Sequence, residues 1–367
     1  MGTTTATDAE VLREEVRAWL AGHWDPALPR REWLELVVEA RYAAPTWPTE
    51  WFGRGLDGET AEVVVEEFRR VGAPGAAQDK HNLWANTVLA FGTPVLKERF
   101  VRRLLVDDVK MCLLYSEPGA GSDLAGLQTR ADRDGDEWVV NGQKVWTSSG
   151  KEAEFGMLVA RTNWDVPKHR GISFFWCPMR QPGVDVRPIK QITGESHFNE
   201  VFLDDVRVPA DHLVGPLDGG WRVLQTALAY ERSVMGDLAR GPRSGAPAEG
   251  TAAIVGEQPD GDQRAAAGPQ AAEVDLWALA RQMGRDQDPT IRQAIARVYE
   301  LRAVNAWNGL RAKSQLEQGS SSPILSLGKL AMSRILHEGA HVQRLIVGNE
   351  ALLYGRDNPL GDDANFL

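Results

Sequence analysis

Cysteine is nearly absent from this 367-residue chain, which has only Cys112 and Cys177. Two thiols cannot form a disulfide framework. Each lies in an apolar run, which predicts buried, reduced thiols and a cytoplasmic setting. There is no Cys-x-x-Cys pair and no histidine cluster at metal spacing, so no metal site is expected. No run of about 20 apolar residues occurs, which argues against a membrane span. Met1 to Asp8 lack the basic and apolar blocks of a secretory leader. Positive charge is also short: 41 Lys and Arg stand against 51 Asp and Glu, a net of −10. That balance argues against a nucleic-acid binder and means that any polyanionic ligand needs a local basic cluster.

What is there suits a globular protein of several layers. Hydrophobic residues make up 43% and charged residues 25%, enough apolar surface in this length for two or three subdomains. Residues 1–108 read as helical. Val11, Leu12, Val16, Trp19 and Leu20 share one helical stripe, with Asp8 as the expected N-cap. Gly58 to Phe68 reads as another helix, and the prolines of Ala44-Pro45-Thr46-Trp47-Pro48 make a loop between them.

The period changes over 109–217. Glu137 to Trp146 reads as a strand, an Asn141-Gly142 hairpin turn and a second strand. Gly171–Trp176, Val184–Ile189 and Glu200–Leu203 read as further strands of an antiparallel, closed or sandwiched domain. Helical pattern returns at Gly219 and fills 218–367, with resumptions at Val274 and Pro323. Residues 241–272 are rich in Gly, Pro, Ala, Gln and Asp and read as a disordered insertion. The expected fold class is therefore α+β: an N-terminal helical domain, a central antiparallel β domain and a C-terminal helical bundle.

Leu114-Tyr115-Ser116-Glu117-Pro118-Gly119-Ala120-Gly121-Ser122-Asp123 follows an apolar stretch that reads as a strand. Its glycines let the backbone approach a ligand closely, and Ser116 and Ser122 add hydroxyls. Asn141-Gly142-Gln143-Lys144-Val145-Trp146-Thr147-Ser148-Ser149-Gly150 and Glu200-Val201-Phe202-Leu203-Asp204-Asp205-Val206-Arg207-Val208-Pro209 follow downstream. In this order and spacing the three segments resemble the acyl-CoA dehydrogenase family, over almost the whole chain.

The resemblance implies FAD as cofactor and α,β-desaturation of an acyl-CoA thioester. A carboxylate with a raised pKa removes the α-proton and the flavin takes the β-hydride. Ala227-Leu228-Ala229-Tyr230-Glu231-Arg232-Ser233 matches one of the family's two positions for that base, in the first helix after the β domain. It implies Glu231 as the base, with Tyr230 and Arg232 beside the substrate. The alternative for Glu231 is a solvated carboxylate paired with an Arg, and for Arg232 a salt bridge. For the flavin the resemblance implies Leu113, Leu114, Tyr115, Ser116, Ser122, Trp146, Thr147 and Ser148, with Ser122 also touching the acyl-CoA. Trp146 could equally be one of the 13 tryptophans that serve as core. Arg281, and second Arg292, correspond to the family's diphosphate-binding arginine, with surface charge as the alternative. His81, Asn82, Trp84 and Asn86 are candidate pocket residues or ordinary helix-packing residues.

Gln191 to Glu200 and Asp288 to Gln293 resemble a bacterial branch acting on steroid-like or branched acyl chains, some of whose members pair a catalytic with a non-catalytic subunit. The resemblance further implies a homo- or hetero-oligomer, dimer or tetramer, and an electron-transfer flavoprotein as electron acceptor. There are two departures. The 241–272 insertion interrupts helix, and no Gly-Gly-Thr-Asn-Glu-type loop is recognisable near Phe366-Leu367. The competing readings are a non-catalytic subunit and a flavin monooxygenase or oxidase on the same fold. Glu231 argues against both.

Overall fold

The computed structural model describes residues 6–192, 194–238, 274–317 and 324–349; the side chains of Ala229, of 231–238 and of a few later residues lie outside that description. The expected insertion at 241–272 and the stretch from 350 onward also lie outside it. The described residues form two compact units, one up to Val234 and one made of 235–238 and the residues from 274 onward.

The first unit begins with six helices: α1 (Ala6–His23), α2 (Arg30–Glu39), α3 (Gly58–Arg70), α4 (Gln78–His81), α5 (Leu83–Phe91) and α6 (Pro94–Leu105). Leu12, Val16 and Leu20 of α1 are buried, but Val11 is 62% exposed, because it lies at the edge of the stripe. Asp8 is not the N-cap. The helix already runs at Ala6, so Asp8 sits in its first turn, where a carboxylate still opposes the positive end of the helix dipole. Asp57 caps α3 by accepting from the backbone N–H of Glu59 and Thr60. Trp19, Trp33, Tyr42 and Phe68 stack into one aromatic cluster between α1, α2 and α3. Over it, Glu67 is buried to 2% exposure and accepts from Arg13, Arg17 and Arg70 at 2.8 Å each.

Among the described residues seven strands follow in one sheet: β1 (Met111–Leu114), β2 (Arg130–Asp134), β3 (Glu137–Ser148), β4 (Phe155–Arg161), β5 (Ile172–Pro178), β6 (Val184–Ile189) and β7 (Phe198–Pro209). Their order is β1-β4-β2-β3-β7-β6, with β5 on β4. Most pairs are antiparallel as expected, but β4 runs parallel to β1 and, at one residue pair, to β2. That mixture needs a long connection, and the Gly-rich run supplies it between β1 and β2. Cys112 and Cys177 are buried and unlinked.

Asn141-Gly142 does not turn the chain. β3 passes straight through it, and neither residue has the positive φ that a tight hairpin turn requires. The site is a bulge against β7, filled by Asn141, whose Nδ2 donates to Asp205 Oδ1 (2.9 Å) and whose Oδ1 accepts from Asp205 N (2.8 Å). Gly142 is needed because a Cβ there would run into the Thr129 side chain. The hairpin turn lies earlier, at Gly135-Asp136 between β2 and β3, with Gly135 at φ 58°.

Helix α7 (Gly220–Leu238) leaves the sheet from an anchored start. Asp218 N donates to Ser173 Oγ (2.8 Å), and Asp218 Oδ1 accepts from Thr162 Oγ1 (2.5 Å). A Cβ on Gly220 would lie 2.5 Å from the Ser173 carbonyl carbon, so only glycine lets the helix seat on β5.

The second unit contains α8 (Leu276–Gln282), α9 (Pro289–Glu317) and α10 (Ile324–Val347). Leu276, Ala280, Ile291, Ile295, Val298, Val342 and Ile346 form its core. Arg285 closes its end by donating to Leu345 O at 2.6 Å.

Candidate active site

The sheet brings the Gly-rich loop against β3. Val145 N donates to Ser116 O (2.9 Å), and Thr147 Oγ1 donates to Leu113 O (3.1 Å). Glu117 and Ala120 exchange backbone hydrogen bonds of 2.9 and 3.1 Å, which closes a tight turn with Pro118 and Gly119 exposed at its tip.

Under the turn lies a buried ion pair that sequence reasoning did not single out. Lys144 is fully buried, and its Nζ donates to Glu117 Oε1 (2.8 Å), Tyr115 O (3.1 Å) and Val159 O (2.8 Å). All three ammonium donors are used. Glu117 also accepts from Gln128 N (2.6 Å) and Thr129 N (2.9 Å). Burial pulls Lys144 down to about 8, against the upward pull of Glu117. Burial pushes Glu117 up, but Lys144 and the hydrogen bonds overcome it and hold the carboxyl below its usual range. A second buried cation, Arg161, ties the end of the loop by donating to Ala125 O (2.6 Å), Leu127 O (3.3 Å) and Lys168 O (3.1 Å). The legible signal was periodicity: Lys144 shares the pleat face of the buried Trp138 and Val140, so a charge there demands an internal partner.

Two residues along β3 the rule inverts. Between Lys144 and Thr147 the register against β7 slips by one residue. Trp146 sits in that bulge with φ 64°, a left-handed conformation that is a genuine outlier for a bulky side chain. Its indole is 60% exposed and meets Phe198 edge-on, with ring centres 6.1 Å apart. Trp146 is therefore not core. An exposed aromatic face on a strained backbone is chemically able to stack on a planar ligand.

The other sequence-predicted residues divide clearly. Ser116 and Ser148 are half-buried and Ser122 is exposed, so the loop and the end of β3 carry hydroxyls that are at least partly accessible. The Leu114 and Tyr115 side chains lie in the core. Leu113 is half-buried, and Thr147 turns its hydroxyl inward to β1. These four offer a ligand chiefly their backbone. Asn82 caps α5, and Asn86 donates to Gln78 O (2.9 Å) and Asn82 O (2.7 Å); both are engaged in helix structure. Trp84 packs against the helical core. In the second unit Arg281 is exposed on α8, while Arg292 lies over the Trp277 ring at 5.1 Å.

On α7, Val223, Leu224 and Ala227 are buried and Leu228 is half-buried. The side chains of Glu231 and Arg232 lie outside the described residues. Tyr230 is half-buried, and burial together with the charge of Asp79 raises its phenol above the usual value.

Residues 5–107 match the acyl-CoA dehydrogenase N-terminal domain and residues 112–206 the acyl-CoA dehydrogenase middle domain. The chain is 38% identical over 328 residues to acyl-CoA dehydrogenase IpdE1 of Mycobacterium tuberculosis, covering 83% of this chain and 75% of that protein. It is 36% identical over 255 residues to cyclohexane-1-carbonyl-CoA dehydrogenase of Syntrophus aciditrophicus, covering 67% of this chain and 65% of that protein. Among solved structures, the Tcur3481-Tcur3483 steroid ACAD matches with a TM-score of 0.68 and 25% identity, over 100% of this chain and 92% of that one. The ChsE4-ChsE5 complex of Mycobacterium tuberculosis matches with a TM-score of 0.57 and 27% identity, over 96% and 88%.

Proposed function

The chain belongs to the acyl-CoA dehydrogenase family, and from that premise we propose how its own residues carry the reaction on a bulky acyl-CoA. It is a flavoprotein oxidoreductase acting on acyl-CoA thioesters, with FAD as its cofactor, and a steroid acyl-CoA dehydrogenase among its structural relatives supports a role in lipid or steroid chain oxidation. The observation that carries the site assignment is Trp146, exposed on a left-handed backbone beside the hydroxyls of Ser116 and Ser148. An aromatic face flanked by neutral donors fits a large planar ring with polar edges.

Ser116, Ser122, Trp146 and Ser148, with the backbone of Leu113, Leu114, Tyr115 and Thr147, would hold the flavin, and Arg281 of a neighbouring subunit is the proposed partner of its diphosphate. A bound flavin would supply the two-electron acceptor for the β-hydrogen of the acyl chain. Glu231 removes the α-proton as a general base. The chemistry asks of such a base a raised pKa, which matches a carboxylate to a weakly acidic C–H. Asp218 and Gly220 anchor α7 on β5 about 16 Å before residue 231, as the helix rise gives, and so fix where that base is presented. Tyr230, Arg232 and Ser122 border the substrate.

Acyl-CoA dehydrogenase complexes with two named components stand among the structural relatives, which supports a homo- or hetero-oligomer here. Trp307, Leu310 and Leu330, each at least 64% exposed, lie on α9 and α10 and supply apolar surface for such contacts. An electron-transfer flavoprotein is the proposed electron acceptor. The test is turnover of a panel of fatty, cyclic and steroid-derived acyl-CoAs with an artificial electron acceptor. The reading predicts a product two hydrogens lighter with at least one of them. A flavin-loaded protein that leaves every acyl-CoA unchanged would favour the non-catalytic-subunit reading.

A further inference from the structure

Asp79, in the first turn of α4, is 7% exposed. Its Oδ2 accepts from Thr46 N (3.0 Å) and Thr46 Oγ1 (2.5 Å). Its Oδ1 is equally buried and has no hydrogen-bond partner. Among the described residues no cation pairs with it; the adjacent Lys80 is engaged by Glu62 at 2.6 Å. A half-satisfied buried carboxylate is costly, and such a group calls for a reason.

The surroundings prevent Asp79 from curing the defect itself. Thr46 holds one oxygen with two bonds and lies between Pro45 and Pro48, which stiffen the loop. On the other side Ala77 enters α4 at φ 63°, a left-handed conformation. Gln78 is fastened by its backbone to Ala43 O (2.7 Å) and by its side chain to Leu105 O (2.8 Å). The carboxylate is therefore fixed with one buried oxygen left without a partner. The other buried groups without partners include Trp138 Nε1 and Trp176 Nε1, which are neutral and lie within the core. Asp79 instead acts on α7: its charge helps keep the proton on Tyr230, the residue before Glu231.

We propose that Asp79 Oδ1 accepts a hydrogen bond from a hydroxyl carried on the acyl part of the substrate, selecting hydroxylated acyl groups and rejecting acyl groups that end in a carboxylate. This deepens, and rests on, the reading of α7 as the wall of the acyl site. A bound hydroxyl supplies the missing donor. An unsubstituted ring leaves the oxygen buried and unpaired, and a second carboxylate adds like-charge repulsion. Sites built to bond a substrate hydroxyl reject the analogue lacking it far more strongly than apolar pockets sort by size.

The experiment uses the flavin-loaded protein with cyclohexane-1-carbonyl-CoA, a fused two-ring analogue, versions of each hydroxylated at every ring position, and glutaryl-CoA. Both kcat/KM and the calorimetric Kd are measured for the wild type, Asp79→Asn and Thr46→Val. The wild type should prefer at least one hydroxylated isomer over its parent by about 100-fold. Asp79→Asn should shrink that ratio to a few-fold and improve glutaryl-CoA. Thr46→Val, which removes the hydroxyl bond to Oδ2 but keeps the backbone one and the carboxylate, should give an intermediate ratio and serves if Asp79→Asn does not fold. A wild-type ratio near one for every isomer overturns the proposal, as does a substitution that weakens parent and hydroxylated substrate alike. If Kd shows the preference while no acyl-CoA is oxidised, the dehydrogenase reading fails and the recognition stands.

Discussion

Lys144 and Trp146 lie two residues apart on β3, yet the first is sealed with every donor used and the second keeps 60% of its surface in solvent. Lys144 binds the loop, β3 and β4 into one piece. Trp146 rests on that piece, in a bulge, with a backbone conformation it would not adopt unaided. The difference separates the two jobs of the region. Polar groups that are completely paired hold the geometry, and groups left open on that geometry meet ligands. Asp79 is neither sealed by partners nor exposed: it is buried with one oxygen unpaired.

Substitutions can break this division. The largest effect belongs to Glu231. Glu231→Gln should lower kcat by about 10²–10⁴-fold, the range of a lost general base, with flavin content and melting temperature unchanged. A parallel loss of flavin would make it a structural residue. Next is Lys144→Met, which leaves Glu117 buried and unpaired and should cost about 3–5 kcal/mol in denaturant unfolding. Adding Glu117→Leu should recover only part of that stability: it removes the unpaired charge, but Gln128 N and Thr129 N then lose their acceptor. If the single variant is as stable as wild type, the pair does not brace the loop. Trp146→Ala should act in the opposite sense. FAD affinity should fall by about tenfold, the scale of a lost aromatic contact, while stability changes by less than about 0.5 kcal/mol. Equal losses in Lys144→Met and Trp146→Ala by both readouts would erase the distinction.

The smallest effect is the acid response of Glu67. Burial pushes its carboxyl up, but hydrogen bonds from Arg17, Arg13 and Arg70 prevail and bring it from 4.5 to about 2. A carboxyl depressed in the folded state stabilises above its unfolded value, and that stability is lost as pH falls from 4.5 toward 2. Glu67→Gln should flatten the slope of unfolding free energy in that window and leave it unchanged above. An unaltered slope would mean that the arginine cluster is solvated.

The architecture was legible because local signals and the core agreed. Asp57 precedes an amphipathic run, and the alternation of β3 and β7 marks a half-buried sheet. Asn141-Gly142 misled because a dipeptide signal cannot foresee a bulge stabilised by Asp205 from a distant strand. Trp146 could be named as a site residue only by resemblance, since exposure and backbone hand are tertiary properties. The pairs Lys144–Glu117 and Asp79–Thr46 span 27 and 33 residues, so no periodicity announces them. A charge at a position whose pattern demands an apolar residue was the available sign.

The most direct measurement is an anaerobic titration of the purified, flavin-loaded protein with cyclic and steroid-derived acyl-CoAs, followed by absorbance. The account predicts that at least one acyl-CoA bleaches the flavin bands of the wild type, while Glu231→Gln keeps its flavin and is not bleached. A Glu231→Gln protein that bleaches at the wild-type rate would contradict the assignment of the base. A wild type that holds flavin and is bleached by no acyl-CoA would contradict the dehydrogenase reading itself.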